Sequence, residues 1–234
     1  MNKKPLGHKA YGSIPHLPNS RLGYGDHHIE IGQALIATKK ERDENDLIIV
    51  QEKLDGSNCC VAKLNGQILP LVRSGYLADT SPYEQHHLFS RWVKANEKRF
   101  DKLLNENERV CGEWLAQAHG TIYKLNHEPF VVFDLFTKEN ERLTYHNFLL
   151  KVLPLGFVIP NLIHIGQPLP VEKALKKIEV SGHGAVDEVE GVIYRVERNG
   201  KVDFIAKYVK HSKIDGKYFP ENNNGQIIWN WHEV

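Results

Sequence analysis

Through most of this chain, apolar residues come in short runs separated by turn-forming residues. Leu47-Ile48-Ile49-Val50 is a continuous apolar run of strand length, as expected for a buried strand. It leads into Glu52-Lys53-Leu54-Asp55-Gly56-Ser57-Asn58, where Gly56 marks a turn. The runs 60–64 and 68–72 flank Asn65-Gly66, a strong two-residue hairpin signal. The runs 189–196 and 202–208 flank Asn199-Gly200 in the same way. The segments 109–115 and 130–136 read as further apolar strands. Trp229 and Trp231 alternate on a last one, where packing accounts for them better than base stacking does.

Helical signals are fewer. Ser81-Pro82-Tyr83-Glu84 has the form of a capping box with proline at the first helical position, and predicts a helix running to about Leu104. Its charges, Arg91, Lys94, Lys98, Arg99 and Lys102, read as a solvated face. Further helices are predicted over 145–153, stopping before Pro154, and over 170–179. Ser181-Gly182-His183-Gly184 then breaks the chain. Residues 7–28 are rich in Gly, Pro, His and Asn, which is turn chemistry. Within them 14–21 reads as a structured lid or edge lying on the domain. His27 and His28 point oppositely on an extended chain and do not form a shared metal site.

Composition narrows the class without choosing a function. The chain has 234 residues, of which 41% are hydrophobic and 25% charged, as in ordinary soluble globular proteins. No apolar run reaches the ~18–20 residues that span a bilayer, and the lysines of Met1-Asn2-Lys3-Lys4-Pro5 have no apolar segment behind them to make a signal peptide. Cys59, Cys60 and Cys111 lack metal or redox spacing and read as free thiols of a reducing cytoplasm, Cys111 buried. A net charge of +1 confines any nucleic-acid surface to a local patch.

Two positions carry candidate chemistry. Lys53 and Asp55 face one side of an extended backbone, and a lysine amine becomes nucleophilic when burial or nearby cations lower its pKa. Glu113 is a lone carboxylate in the apolar strand 109–115 and needs a partner.

In order along the chain stand Lys53-Leu54-Asp55-Gly56, Arg73-Ser74-Gly75, Cys111-Gly112-Glu113-Trp114, the strand 130–135, Glu190-Gly191-Val192-Ile193-Tyr194 and Ala206-Lys207-Tyr208-Val209-Lys210. This ordered set resembles the motifs of the covalent nucleotidyltransferases: ATP-dependent DNA ligases, RNA ligases and mRNA capping enzymes. Lys-Leu-Asp-Gly-Ser-Asn and Cys-Gly-Glu-Trp look closest to the RNA ligase 2-like group. The resemblance implies an α+β fold, antiparallel β-sheets forming a nucleotide cleft with helices outside, of the ligase-type, ATP-grasp-like nucleotidyltransferase kind, and the two hairpins agree with it. It implies one adenylation domain over 1–234 without a C-terminal OB domain. The implied activity is joining of 5′-phosphate and 3′-hydroxyl ends, of RNA first, through AMP bound covalently to Lys53. An ATP-dependent DNA ligase and a catalytically lapsed nucleotide-binding scaffold are the alternatives.

The resemblance also assigns roles. Lys207 and Lys210 hold the α-phosphate of ATP and depress the pKa of Lys53. Glu190 binds Mg²⁺ or Mn²⁺. Asp55 orders metal-bound water, Glu113 the ribose, Asn58 the nucleotide, and Arg73 the phosphate end. Phe133 stacks on adenine and Glu52 accepts from its amino group. Many relatives place the final lysines one residue apart, whereas two residues separate Lys207 from Lys210. Either a bulge intervenes or Lys210 contacts something else. Only 21 residues follow Lys213, so grip on nucleic acid is expected from Lys94, Lys98, Arg99, Lys210 and Lys213, or from a partner protein.

Overall fold

The computed structural model describes residues 3–178 and 180–232. Met1, Asn2 and Glu179, the expected end of one helix, lie outside them. Among the described residues eight strands form two antiparallel sheets of four. The first contains β1 (Leu47–Lys53), β6 (Leu162–Gly166), β7 (Gly191–Arg198) and β8 (Lys201–Val209), in the order β6-β1-β7-β8. The second contains β2 (Ser57–Leu64), β3 (Gln67–Val72), β4 (Arg109–Trp114) and β5 (Phe130–Phe136), in the order β3-β2-β4-β5.

Alternation along β1 sets the layers. Ile48 and Val50 pack in a cluster with Ala34 and Ala37 of α1 (Ile31–Thr38) and Ala174 of α5 (Val171–Lys177). Ile49 joins the main core instead. That core is the outer face of the second sheet, covered by α2 (Glu84–Ala95), α3 (Glu97–Leu103) and α4 (Tyr145–Val152). Helices therefore lie outside and a cleft lies between the sheets, as the α+β reading expects. Across that gap Arg195 of β7 reaches Asp134 of β5, which also takes Tyr11 Oη at 2.6 Å and Arg142 Nε at 3.1 Å. The buried carboxylate is fully hydrogen-bonded, and Arg195 also lies 3.5 Å from Glu197, so the second guanidinium charge has an acid of its own.

Both predicted hairpins form. Asn65 and Gly66 have φ of 52° and 72°, and Asn199 and Gly200 have 50° and 73°. Positive φ at both central positions is the geometry that matches strand twist in two-residue turns. The expected 14–21 edge is also present. Leu17 N donates to Lys207 O at 2.8 Å and Lys207 N to Pro15 O at 2.9 Å, so the segment runs along β8.

Three local expectations fail. The capping box does not form: α2 starts at Glu84 with no side-chain cap, because Ser81 Oγ is hydrogen-bonded to His86 Nδ1 at 2.6 Å. The long helix breaks at Asn96 (φ −106°, ψ 14°), whose amide bonds Trp92 O at 2.9 Å. Trp229 and Trp231 lie outside any strand and pack on the main core, Trp231 edge-on to Trp114 at 6.0 Å. All three cysteines are buried and free. Among the described residues no helix is long and apolar enough to cross a membrane.

Candidate active site

The turn Leu54-Asp55-Gly56 carries the chain from β1 in one sheet to β2 in the other. Lys53 thus stands where the two sheets join. A Cβ at Gly56 would sit 2.5 Å from Trp114 O, so this crossing requires glycine. Antiparallel pairing sets Lys53 opposite Gly191, next to Glu190, and Asn58 opposite Glu113. On β8, Lys207 pairs with Ile193 of β7. Strand registry therefore gathers residues from four distant motifs at one end of a cleft of about 1130 Å³.

Lys53 Nζ donates to Glu190 Oε2 at 2.6 Å. Burial pulls the lysine pKa down, but the carboxylates of Glu190, Glu113 and Asp55 outweigh it and hold Lys53 above the ordinary lysine value. The carboxylates thus reverse the depression expected from Lys207 and Lys210. Glu113 accepts Gly56 N at 3.1 Å. Burial pushes its pKa up to about 7, opposed by Lys53 and reinforced by Glu190 and Asp55. Burial likewise raises Glu190.

Lys207 faces the cleft, its pKa lowered by burial and then by Lys53, with Asp26 Oδ1 at 3.5 Å. Asp26 comes from the N-terminal segment and also lies 2.9 Å from His16 Nε2. Lys210 does not join the centre. Three residues beyond Lys207 and just past the end of β8, it pairs with Glu188 at 2.8 Å, the second of the two outcomes its spacing left open. Arg73 lines the cleft mouth, exposed, with Nη2 3.1 Å from Ser13 Oγ. Phe133 lines the cleft half-buried, edge-on to Tyr11 at 5.3 Å. Glu52 is buried beside the cleft, its oxygens taken by Ser181 Oγ at 2.5 Å and Gly182 N at 2.9 Å. Asn58 lines the cleft with its Oδ1 unpartnered.

Several cleft residues went unread in the sequence. Gln51 shares the alternation of Lys53 and lines the cleft, its Nε2 unpartnered; that period-2 relation was available. Asp26, Tyr11 and Ser13 carried no local signal, since their place depends on how the N-terminal segment wraps. Two basic groups expected to grip nucleic acid are engaged internally. Arg99 holds Glu128 through two hydrogen bonds at 2.5 and 2.8 Å, and Lys213 is buried against Asp55 at 2.7 Å.

An RNA ligase family model matches residues 46–209. The chain belongs to the RNA ligase family. Naegleria gruberi RNA ligase with pyrophosphate has a similar structure, with a TM-score of 0.59 and 17% identity, over 93% of this chain and 58% of that one. A mutant of the Naegleria gruberi enzyme with ATP and Mn gives 0.58 and 17%, over 93% and 59%. An apo mutant of it gives 0.57 and 16%, over 86% and 56%. This chain therefore spans less than two thirds of these ligases, and at such identity the likeness establishes the fold. A search of curated proteins found no match.

The donor set suits a hard divalent cation, since Glu190, Glu113 and Asp55 all offer carboxylate oxygens near Lys53. Among the described residues no cluster of three or more ligating side chains is arranged as a metal cage.

Proposed function

We propose that this chain is the adenylation domain of an ATP-dependent RNA ligase and that Lys53 is its nucleophile. The observation that carries the proposal is the 2.6 Å contact of Lys53 Nζ with Glu190 at the junction of the two sheets, with Glu113 and Asp55 acting on the same ammonium. In the first step the Lys53 nitrogen, once it has lost a proton, forms a bond to the α-phosphorus of ATP and pyrophosphate leaves. The 5′-phosphate of an RNA end then takes the AMP and frees Lys53. Finally a 3′-hydroxyl oxygen attacks that activated end and AMP departs.

Each step is phosphoryl transfer, in which the protein positions reactants and stabilises charge on phosphate oxygens. Lys207 is the cation placed to take the α-phosphate. Arg73, exposed at the cleft mouth, is suited to the 5′-phosphate end. Phe133 and Gln51 supply a ring and an amide for the base, and Asn58 and Glu113 polar groups for the sugar. Bound at Glu190, Mg²⁺ or Mn²⁺ would add positive charge against the phosphates and compete with Lys53 for that carboxylate. RNA ends are the proposed partners, and the cytoplasm the proposed location.

Incubation with α-phosphate-labelled ATP and Mg²⁺ or Mn²⁺ should label the protein by one AMP. The AMP should then pass to 5′-phosphorylated RNA. Nicks differing only in the sugar at the 3′ end separate RNA from DNA ligase, because a protein distinguishes the two through the 2′-hydroxyl and duplex form. Labelling from GTP in preference to ATP would move the chain to the capping class. Absence of any label would overturn the reading in favour of a lapsed scaffold.

A further inference from the structure

The turn that carries Asp55 is braced from behind by a segment outside the ligase motifs. Lys213 follows β8 on a turn in which its N donates to Lys210 O at 3.2 Å. Its side chain folds inward and is only 5% exposed. Its Nζ pairs with Asp55 Oδ2 at 2.7 Å and donates to Thr121 Oγ1. The same Asp55 oxygen accepts Gly120 N at 2.8 Å. Neither contact uses Oδ1. Asp55 N donates to Tyr123 Oη at 3.0 Å, so residues 120–123 hold both the backbone and the side chain of Asp55.

The packing at this point has no slack. A Cβ at Gly120 would stand 2.4 Å from Ile214 O, 2.8 Å from Asp55 Oδ2 and 2.9 Å from Lys213 Cε. Three chain segments close on one oxygen only because position 120 has no side chain. Burying an ammonium is unfavourable unless the charge is matched. Asp55 supplies the match, so the fold tolerates Lys213 here only together with Asp55. A lysine held this way has no free charge for a phosphate backbone.

We propose that Lys213, seated against Gly120 and Thr121, is a positioning residue for Asp55. It saturates Oδ2, fixes the carboxylate, and leaves Oδ1 as the oxygen Asp55 offers to the Lys53 centre. The inference rests on the reading of Lys53 as the adenylated residue. It explains why a segment beyond the last motif belongs to the adenylation centre rather than to an RNA surface.

A double-mutant cycle on single-turnover self-adenylation tests it, with wild type, Lys213→Met, Asp55→Asn and the double variant. Lys213→Met should lower the rate at saturating ATP by about tenfold or more while leaving half-saturation by ATP within about twofold, the pattern of an interaction that serves the transition state. In the Asp55→Asn background the same change should cost less than about twofold, because residues acting through one contact are non-additive. Thr121→Val, which removes the other partner of the ammonium, should reproduce the loss in smaller measure. If Lys213→Met does not fold, the cycle is run with Thr121→Val and the same non-additivity is required. Additive losses, or a wild-type rate in the Lys213 variant, overturn the proposal while the ligase reading stands. A wild-type protein that takes no AMP overturns both.

Discussion

Lys53 Nζ lies 2.6 Å from Glu190 Oε2, a contact between residues 137 positions apart. Lys53 is therefore paired and held in its cationic form. Burial alone would favour the neutral amine, and the surrounding carboxylates reverse that preference. On the proposed reading of Lys53 as nucleophile, ATP and its cation would have to redistribute these charges before the amine could react.

Lys53→Ala should take no AMP from labelled ATP while keeping its circular dichroism and melting transition. The side chain is 20% exposed, and its contacts are electrostatic rather than packing. Undiminished labelling of the variant would place the nucleophile elsewhere.

Glu113 predicts a specific pH dependence. Its folded pKa is raised to about 7 from an ordinary 4.5, chiefly by burial. A raised pKa means that its contribution to stability is full below about 4.5 and is lost as pH rises through about 7. Glu113→Gln lacks this titration. The unfolding free energy of wild type relative to Glu113→Gln should thus fall by an amount on the order of 2 kcal/mol between pH 5 and pH 8. Urea melts of both proteins at four pH values measure it, and a difference that stays flat with pH would refute the shift.

What the sequence makes legible is what is local. Asn65-Gly66 and Asn199-Gly200 dictate their own turns, and alternation from Lys53 reaches Gln51, whereas Asp55 lies in the turn beyond β1. The order of six motifs is equally readable, and the fold brings residues of three others, Glu113, Glu190 and Lys207, to Lys53. Sheet order is not local. β1 lies between β6 and β7, and β6 is a five-residue edge strand with partly exposed side chains, which gives no burial pattern to read. α1 was missed because its buried face is only two alanines, Ala34 and Ala37. The burial of Lys213 and the hold of Asp26 on Lys207 depend on loops whose paths are set by distant contacts.

Lys207 and Lys210 should separate cleanly. Lys207 faces the cleft, and losing one charged contact to a transferring phosphoryl group lowers rates by ~10²–10³. Lys207→Ala should lose adenylation to that extent. Lys210 pairs with exposed Glu188, an interaction worth about 0–1 kcal/mol, so Lys210→Ala should adenylate within about threefold of wild type. Equal losses in single-turnover labelling would contradict the placement of Lys210.

Gly191→Ala should damage both stability and activity. A Cβ there would lie 1.9 Å from Tyr208 O, between β7 and β8. Forced apart, the strands would displace Glu190 and Lys207, which flank the contact. A loss of about 1–3 kcal/mol is typical of such overpacking, and thermal melts with parallel labelling check it. A variant with native melting and native adenylation would show that the strands can give way at no cost.

The N-terminal strap has a consequence for solution behaviour. β8 is an outer strand, and an open strand edge is a template for pairing with another chain. Residues 15–17 occupy that template at Lys207, and Ser20 Oγ accepts the next free amide, Val209 N, at 2.9 Å. Cutting the strap away would expose bare backbone amides beside the reacting centre, and molecules treated in this way should self-associate through β8.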